Sequence, residues 1–514
     1  AGSDSFDSDP TLFDAAALAQ LLLGTASPTA SEIHAAARLI KGRVSIELAT
    51  RGGSAFDEAV TLVVNDPHSV PKTLATGRSS PARLSLDVAN GSWTLEARQA
   101  DGTVLGSTNV NVTADGSVSL GSGLLTLDVQ EVPVPADEVL INPVATGLQE
   151  ASDVAMAADG SYVVVWRDES GGPGGDIMAQ RFDSSGARQD EAFKLNSAQR
   201  KGYNPSVAVD GAGNMFVSWQ ANGDEDDAAA DIYGRYVSAG STSGTEFRVN
   251  TYTTDNQLHP DVAMDSSGDF VVVWESGYQD GDDTGIYGRY FSAGSLTGSS
   301  EFRANDVTSS RQSDPVVAID AAGDFVVAWQ SNGQDGSGYG VFARHFSAGA
   351  APDGNEFQAN VDTFDYQGMP ALAMDTDGDF LLAWDSNYTL YARHYSAGST
   401  AGGSEFRVSN LTTGRERMAD VAMDSDGDFV VTWQSDGQDG SGYGIFGNRY
   451  VSGSTVASSE FQVNVFTGSD QMDSHVALND AGDFIVTWNT RYGHPLDSYG
   501  AVIGRFFRQA GTEP

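Results

Sequence analysis

The residues best placed to do chemistry are carboxylates at alternate positions of a glycine turn. DTDGD at 375–379 and DSDGD at 424–428 supply Asp375, Asp377, Asp379, Asp424, Asp426 and Asp428. Oxygens spaced in this way can converge on a hard cation that takes six to eight of them, and calcium is the cofactor such turns would hold. DSSGD at 265–269 and DAAGD at 320–324 keep two of the three carboxylates; the first copy has Ala157 and Ser161, and the second ends in Asn214. No bidentate glutamate follows at the EF-hand spacing. Aspartate before a turn glycine is also ordinary hairpin chemistry, because the carboxylate bonds local amides while glycine takes a positive φ. The turn reading outweighs the metal reading.

Other chemistry finds less support. The seven histidines show no HExxH spacing, there is no GxSxG elbow, and the absence of cysteine removes thiolate sites. GQDGSGYG at 333–340 is glycine-rich but precedes no helical pattern, so a phosphate cradle fails on context. An arginine recurs once per repeat (Arg181, Arg235, Arg289, Arg344, Arg393, Arg449, Arg505), which suggests a structural pairing with a neighbouring carboxylate. Candidate ligand-binding residues are those that depart from the repeat in its variable loops: Tyr366, Arg415, Arg417 and His494, with His259, Arg311, Phe364, Phe466 and His475 in similar places. Aromatic and arginine side chains suit sugar or protein recognition. No catalytic residue is expected.

These residues must be held by a repeat. Seven of eight tryptophans (Trp166, Trp219, Trp274, Trp329, Trp384, Trp433, Trp488) fall about 50 residues apart, each at the end of an apolar run such as FVVVW at 270–274. Around each lie three further strand-like runs, in the third copy DVAM at 261–264, IYGRYF at 286–291 and EFRAN at 301–305. A repeat of four short antiparallel strands is the signature of a propeller blade. The second run is apolar throughout, as a strand covered on both faces must be. The fold class expected is therefore all-β, a seven-bladed β-propeller over 138–514. The last copy lacks its fourth strand, and EVLIN at 138–142, in register with EFRVN and EFQVN, supplies it and closes the ring.

Upstream, alternating runs between 43 and 131 predict a small immunoglobulin-like β-sandwich, joined through a Pro-rich linker at 132–137. Residues 1–42 read as a tail with two short helices. With 28 Lys+Arg against 70 Asp+Glu, the net charge of -42 argues against nucleic acid and anionic membranes as partners. No apolar run is long enough to span a bilayer, so no membrane insertion is expected. The opening AGSDSFDSDP carries no leader, as expected if a signal peptide has been removed, and the composition fits an extracellular or cell-surface bacterial protein.

The unit VAMDxxGDFVVxWQSxGQDGSGYGIFGxRY followed by EFxVN, over 138–508, resembles tandem repeats of large secreted or surface-anchored bacterial proteins. The acidic turns are similar to the calcium loops of integrin-type FG-GAP propellers. These resemblances imply calcium at the six aspartates of 375–379 and 424–428, and company with adhesion modules. The function expected is non-catalytic: filament or surface-layer assembly, or adhesion, with other copies of the chain or cell-surface proteins and glycans as partners. The alternative is a polysaccharide-binding lectin or polysaccharide-degrading enzyme using the variable-loop face.

Overall fold

The computed structural model describes residues 138–508, apart from short loop segments at 144–146, 171–174, 198–200, 223–228, 411–413, 458–459, 492–493, 495 and 497–499; before 138 it describes mainly backbone strands. No helix occurs among the described residues. The chain forms two compact units, Pro135–Phe507 and Ala1–Val134 with Arg508–Pro514. In the latter, Lys41–Leu48 pairs antiparallel with Ala82–Ala89. A five-stranded sheet runs in the order Lys72–Ala75, Thr61–Asn65, Gly91–Arg98, Val104–Val112, Val118–Leu120. The helices expected within 1–42 lie outside the described residues.

The larger unit is the seven-bladed propeller. Every blade is an antiparallel sheet, and in the first six its four strands follow chain order from axis to rim. In blade three these are Gln257–Met264, Phe270–Gly277, Thr284–Phe291 and Phe302–Arg303. The second strand is buried at all eight positions: its apolar run 270–274 is covered on both faces, and Glu275 and Ser276 are buried after it. Seven apolar clusters each draw on two adjacent blades, so the core consists of the seams between sheets. Each repeat tryptophan is at most 1% exposed in a seam. Burying such a side chain contributes about 2–3 kcal/mol, which makes the tryptophan column the largest repeated stabilising element.

Closure occurs as the repeat register demands. Val139 and Leu140 pair with Gly504 and Ile503 of Gly500–Arg508, and the Ile141 amide donates to the Val502 carbonyl at 2.9 Å. The glutamate of the outer run does a second job that its sequence does not announce. Glu356 accepts from Asp306 and Val307 amides of the preceding blade, Glu460 from Asn410, and Glu138 from Phe466 at 3.1 Å as well as from Val465. The segment that completes blade seven therefore also latches it to blade six. Glu138 is held below the ordinary glutamate range: burial opposes ionisation, but the hydrogen bond from His494 and those amides outweigh it.

The recurrent arginine is structural: Arg344 meets the carboxylate of Asp306 at 2.8 Å and Arg181 and Arg235 lie 3.8 Å from Asp190 and Glu246, as expected, and a backbone carbonyl is a second partner. Arg289, Arg344, Arg393 and Arg505 each donate across the seam to an outer-run carbonyl of the preceding blade, at 2.6–3.2 Å. Blade six places Asn448 in that column, bonding the Val408 carbonyl at 2.7 Å, so Arg449 stands one position out of register.

Inner strands begin four residues earlier than the apolar pattern suggests. In each one a bulge interrupts the ladder, and its residue takes a positive φ: Ala151, Asn204, His259, Asp314, Met369, Met418 and Asp473 lie between 46° and 53°. Pro260 follows one of these bulges and would break a central strand, but the free edge of an inner strand faces the axis and needs no ladder donor there.

Candidate functional site

Three levels along the propeller axis and its loop face carry polar side chains. At one mouth, the turns between first and second strands of all seven blades surround a cavity of about 290 Å³. Met156, Val209, Met264, Ile319, Met374, Met423 and Leu478 line it, and Asp210, Asp265, Asp320, Asp375 and Asp424 stand beside them. The local geometry explains these acids. Asp375 Oδ1 accepts from the Asp377 and Asp379 amides at 3.0 Å each, and Asp424 Oδ1 from those of Asp426 and Asp428 at 3.1 and 2.9 Å. Asp379 and Asp428 reach onward to the Ala397 and Ser452 amides, both at 2.8 Å. The turn glycine takes the positive φ (Gly378, 91°), and a Cβ there would press on Asp320 of the preceding blade at 3.1 Å. Burial raises Asp375, and raises Asp424 to about 6.

Midway along the axis, the fifth residue of each inner strand forms a ring: Asp153, Ser206, Asp261, Val316, Ala371, Asp420 and His475. Each carboxylate caps an edge amide of the next blade. Asp153 accepts from Val207 at 2.8 Å, Asp261 from Val317 at 2.8 Å and Asp420 from Val476 at 2.7 Å. Ser206 donates to Asp261 at 2.9 Å, and His475 Nδ1 lies 3.5 Å from Asp153 and 3.8 Å from Asp420. The acids lie deep in the ring, yet Asp153 and Asp420 keep 19% and 28% of their side-chain surface open to the channel. Burial, reinforced by Asp153, raises Asp261 to about 7 and Asp420 to about 6. Burial disfavours the His475 imidazolium, but Asp420, Asp153, Asp473 and Asp261 outweigh it and raise its value.

On the opposite face lie the loops from second to third and from fourth to first strands. In four blades the residue after the tryptophan accepts from the bulge amide of the next blade: Gln220 from His259, Glu275 from Asp314, Gln330 from Met369 and Gln434 from Asp473, at 2.9–3.0 Å. Glu275 also meets His259 Nδ1 at 2.8 Å and Arg311 at 3.3 Å. His259, Glu275 and Asp314 form the one ligand-like trio of His and acids among the described residues. Arg311 already supplies its cation, so the trio reads as an ion-pair network.

Blade five breaks the pattern. Its second and third strands join through the two residues Asn387 and Tyr388, where other blades carry long glycine-rich loops. Both take positive φ (49° and 68°), and Tyr388 stands 48% exposed. The Arg415 and Arg417 guanidiniums lie 5.0 and 5.7 Å from its ring centre. Phe364 is 76% exposed. Tyr366 donates to Gln330 at 3.3 Å and packs edge-on to Tyr339. Asp385 replaces the usual longer side chain after the tryptophan. Its Oδ2 accepts from the Met418 amide at 3.3 Å and lies 3.9 Å from Arg417 Nε, while its buried Oδ1 has no partner among the described residues. Burial raises Asp385 to about 7.

Of the residues singled out in the sequence, the fold thus brings Arg415 and Arg417 to Tyr388, while Tyr366 lies against Gln330 and Tyr339. His494 does not join them. It is 4% exposed, bonds Glu138 at 3.3 Å and packs edge-on to Phe466, so it pins the ring closure. Sequence reasoning missed Asp385 and Tyr388, although aligning the repeats at the tryptophans exposes both the shortened loop and the Gln-to-Asp exchange. It also missed the axial ring, which shows only when fifth positions of all inner strands are read as one column.

No family model matches this sequence, and no curated protein matches it. Solved structures similar to it include a Hadza microbial sialidase (10% identity, covering 91% of this chain and 93% of that one, TM-score 0.42), a fungal alcohol oxidase in complex with copper (11%, 74% and 76%, 0.45) and a Penicillium chrysogenum alpha-L-arabinanase complexed with arabinobiose (14%, 62% and 95%, 0.41). The expectation of a non-catalytic chain is corrected on this finding: the similar structures include enzymes. The axial ring besides brings titratable acids and an imidazole together in a way the sequence motifs do not reveal.

Proposed function

We propose that the propeller is carbohydrate-directed and engages polysaccharide on its loop face, at blades five and six. The observation that carries this reading is the shortened hairpin presenting Tyr388 with Arg415 and Arg417, beside exposed Phe364. Aromatic faces cover the apolar side of a sugar ring, and guanidiniums donate to its oxygens. Calorimetric titration against a panel of soluble polysaccharides tests it. Micromolar to millimolar binding, weakened tenfold or more by Tyr388→Ala with an unchanged melting midpoint, supports the reading. A panel without binding, or a variant that binds as well as the native chain, overturns it.

A second reading, hydrolysis of a glycosidic bond at the axial ring, is favoured by the gathering of Asp153, Asp261, Asp420 and His475 on the axis, where burial raises Asp261 to about 7, high enough to give up a proton near neutrality, and Asp420 to about 6. Release of reducing ends that is lost in Asp420→Asn supports it, and no release from any polymer bound by the chain overturns it. The setting we propose is extracellular or cell-surface, with glycans or further copies of the chain as partners. The upstream strands we read as an immunoglobulin-like sandwich. Calcium at the turns of Asp375 and Asp424 is a separate proposal, supported by three carboxylates at alternate positions. A rise in melting midpoint on adding calcium favours it, and an unchanged one overturns it.

A further inference from the structure

We propose that the blade-five site recognises two adjacent hydroxyls of an uncharged sugar residue, one donating to Asp385 and its neighbour accepting from Arg417. This rests on the polysaccharide reading and specifies the ligand. A buried carboxylate oxygen without a donor is costly, and blades three and four show what prevents the cost at this position. Gln330 and Glu275 occupy the equivalent position in their blades, and each bonds both the next bulge amide and side chains of its own inner strand or loop. Asp385 is one methylene shorter than Glu275. It reaches the Met418 amide with Oδ2 and leaves Oδ1 over, in the one blade whose covering loop is reduced to Asn387 and Tyr388.

Above its value of about 7 Asp385 is ionised, and the partner its Oδ1 then takes is a donor, which a carboxylate, sulfate or phosphate on the ligand does not supply. A sugar hydroxyl donates and accepts at once, so it can satisfy Asp385 while its neighbour takes the guanidinium N–H of Arg417, which is only loosely engaged at 3.9 Å. Charge points the same way. A chain with net charge -42 repels polyanions at a distance, and the acids beneath half-exposed Tyr388, Asp385 and Glu416, each 1% exposed, do not favour a ligand carboxylate. Tyr388 and Phe364 then offer apolar surface for the ring that carries the hydroxyls.

The test uses the full chain and four polymers. Mannan and galactomannan are uncharged with adjacent hydroxyls, linear β-1,3-glucan is uncharged with none on its internal residues, and polygalacturonate is charged. The expected result is binding to the first two and at least tenfold weaker binding to the other two. Periodate oxidation followed by borohydride reduction, which cleaves the bond between adjacent hydroxyls, should remove binding of mannan at least tenfold. Asp385→Asn, which replaces the free acceptor with an amide, should weaken it by a similar factor at an unchanged melting midpoint. Undiminished binding of oxidised mannan, or preference for β-1,3-glucan or polygalacturonate, overturns the inference; if Tyr388→Ala still abolishes that binding, the polysaccharide reading stands. Binding to none of the four overturns the inference as well, and the wider panel then decides the polysaccharide reading separately.

Discussion

Stability should fall as pH rises from 5.5 to 8, and the axial ring should set much of the slope. Asp261, whose ordinary value is 3.8, stands at about 7 in the folded chain, and Asp420 at about 6. Between those limits the folded state binds more protons than the unfolded one, so unfolding free energy decreases with pH until the folded values are passed. His475, also raised, acts in the same direction, because its charged form is favoured by folding and is lost at high pH. Counting from pH 5.5, Asp261 contributes about 1.5 pH units and Asp420 about half a unit, at about 1.4 kcal/mol each unit. The ceiling is about 3 kcal/mol. Channel water reaches these acids and screens them, so about 1 kcal/mol or more is expected. Urea unfolding at pH 5.5 and 8 measures it. The double substitution Asp261→Asn and Asp420→Asn removes both titrations, while the general repulsion of a highly acidic chain remains. The native slope should therefore exceed the variant slope by about 1 kcal/mol across the interval. Equal slopes, or a native chain more stable at pH 8, would refute the reasoning.

Three other outcomes follow from the bonds described above. Glu138→Ala removes the acceptor of two amides and the partner of buried His494, and should cost about 2–4 kcal/mol in urea unfolding, with proteolysis near residue 138 becoming faster. Asp375→Ala strips the cap from one turn and should cost about 1 kcal/mol, whereas Asp377→Ala, whose carboxylate caps no amide among the described residues, should cost less than half of that by thermal melting. Trp384→Ala should cost about 3–5 kcal/mol by opening a void in the seam of blades four and five, read from the same denaturant curves.

Ring closure was legible because it depends on counting: a repeat missing one strand at its end and a spare strand of the same pattern at its start. The acidic turns were legible as turns for a similar reason, since Asp and Gly at fixed offsets act through their own backbone. The candidate site was legible only in part. Tyr366, Arg415 and Arg417 could be picked out because they depart from the repeat in loops, but the sequence could not say that both arginines face one tyrosine, Tyr388. His494 departs from the repeat as well, yet lies buried against Glu138, some 350 residues away in the chain.

What the sequence determined by itself, then, is periodicity and its consequences: strand number, blade number, the buried tryptophan column and the closing strand, all set by local patterns of apolar and turn residues. What only the tertiary structure decided is which side chains from different blades meet. Asp153, Asp261, Asp420 and His475 stand far apart in the chain and become neighbours because seven inner strands converge on one axis. Asp385 gains its significance from an amide and a guanidinium supplied by the following blade. Side-chain chemistry at a distance in sequence is fixed by the geometry of closure, and no local pattern encodes it.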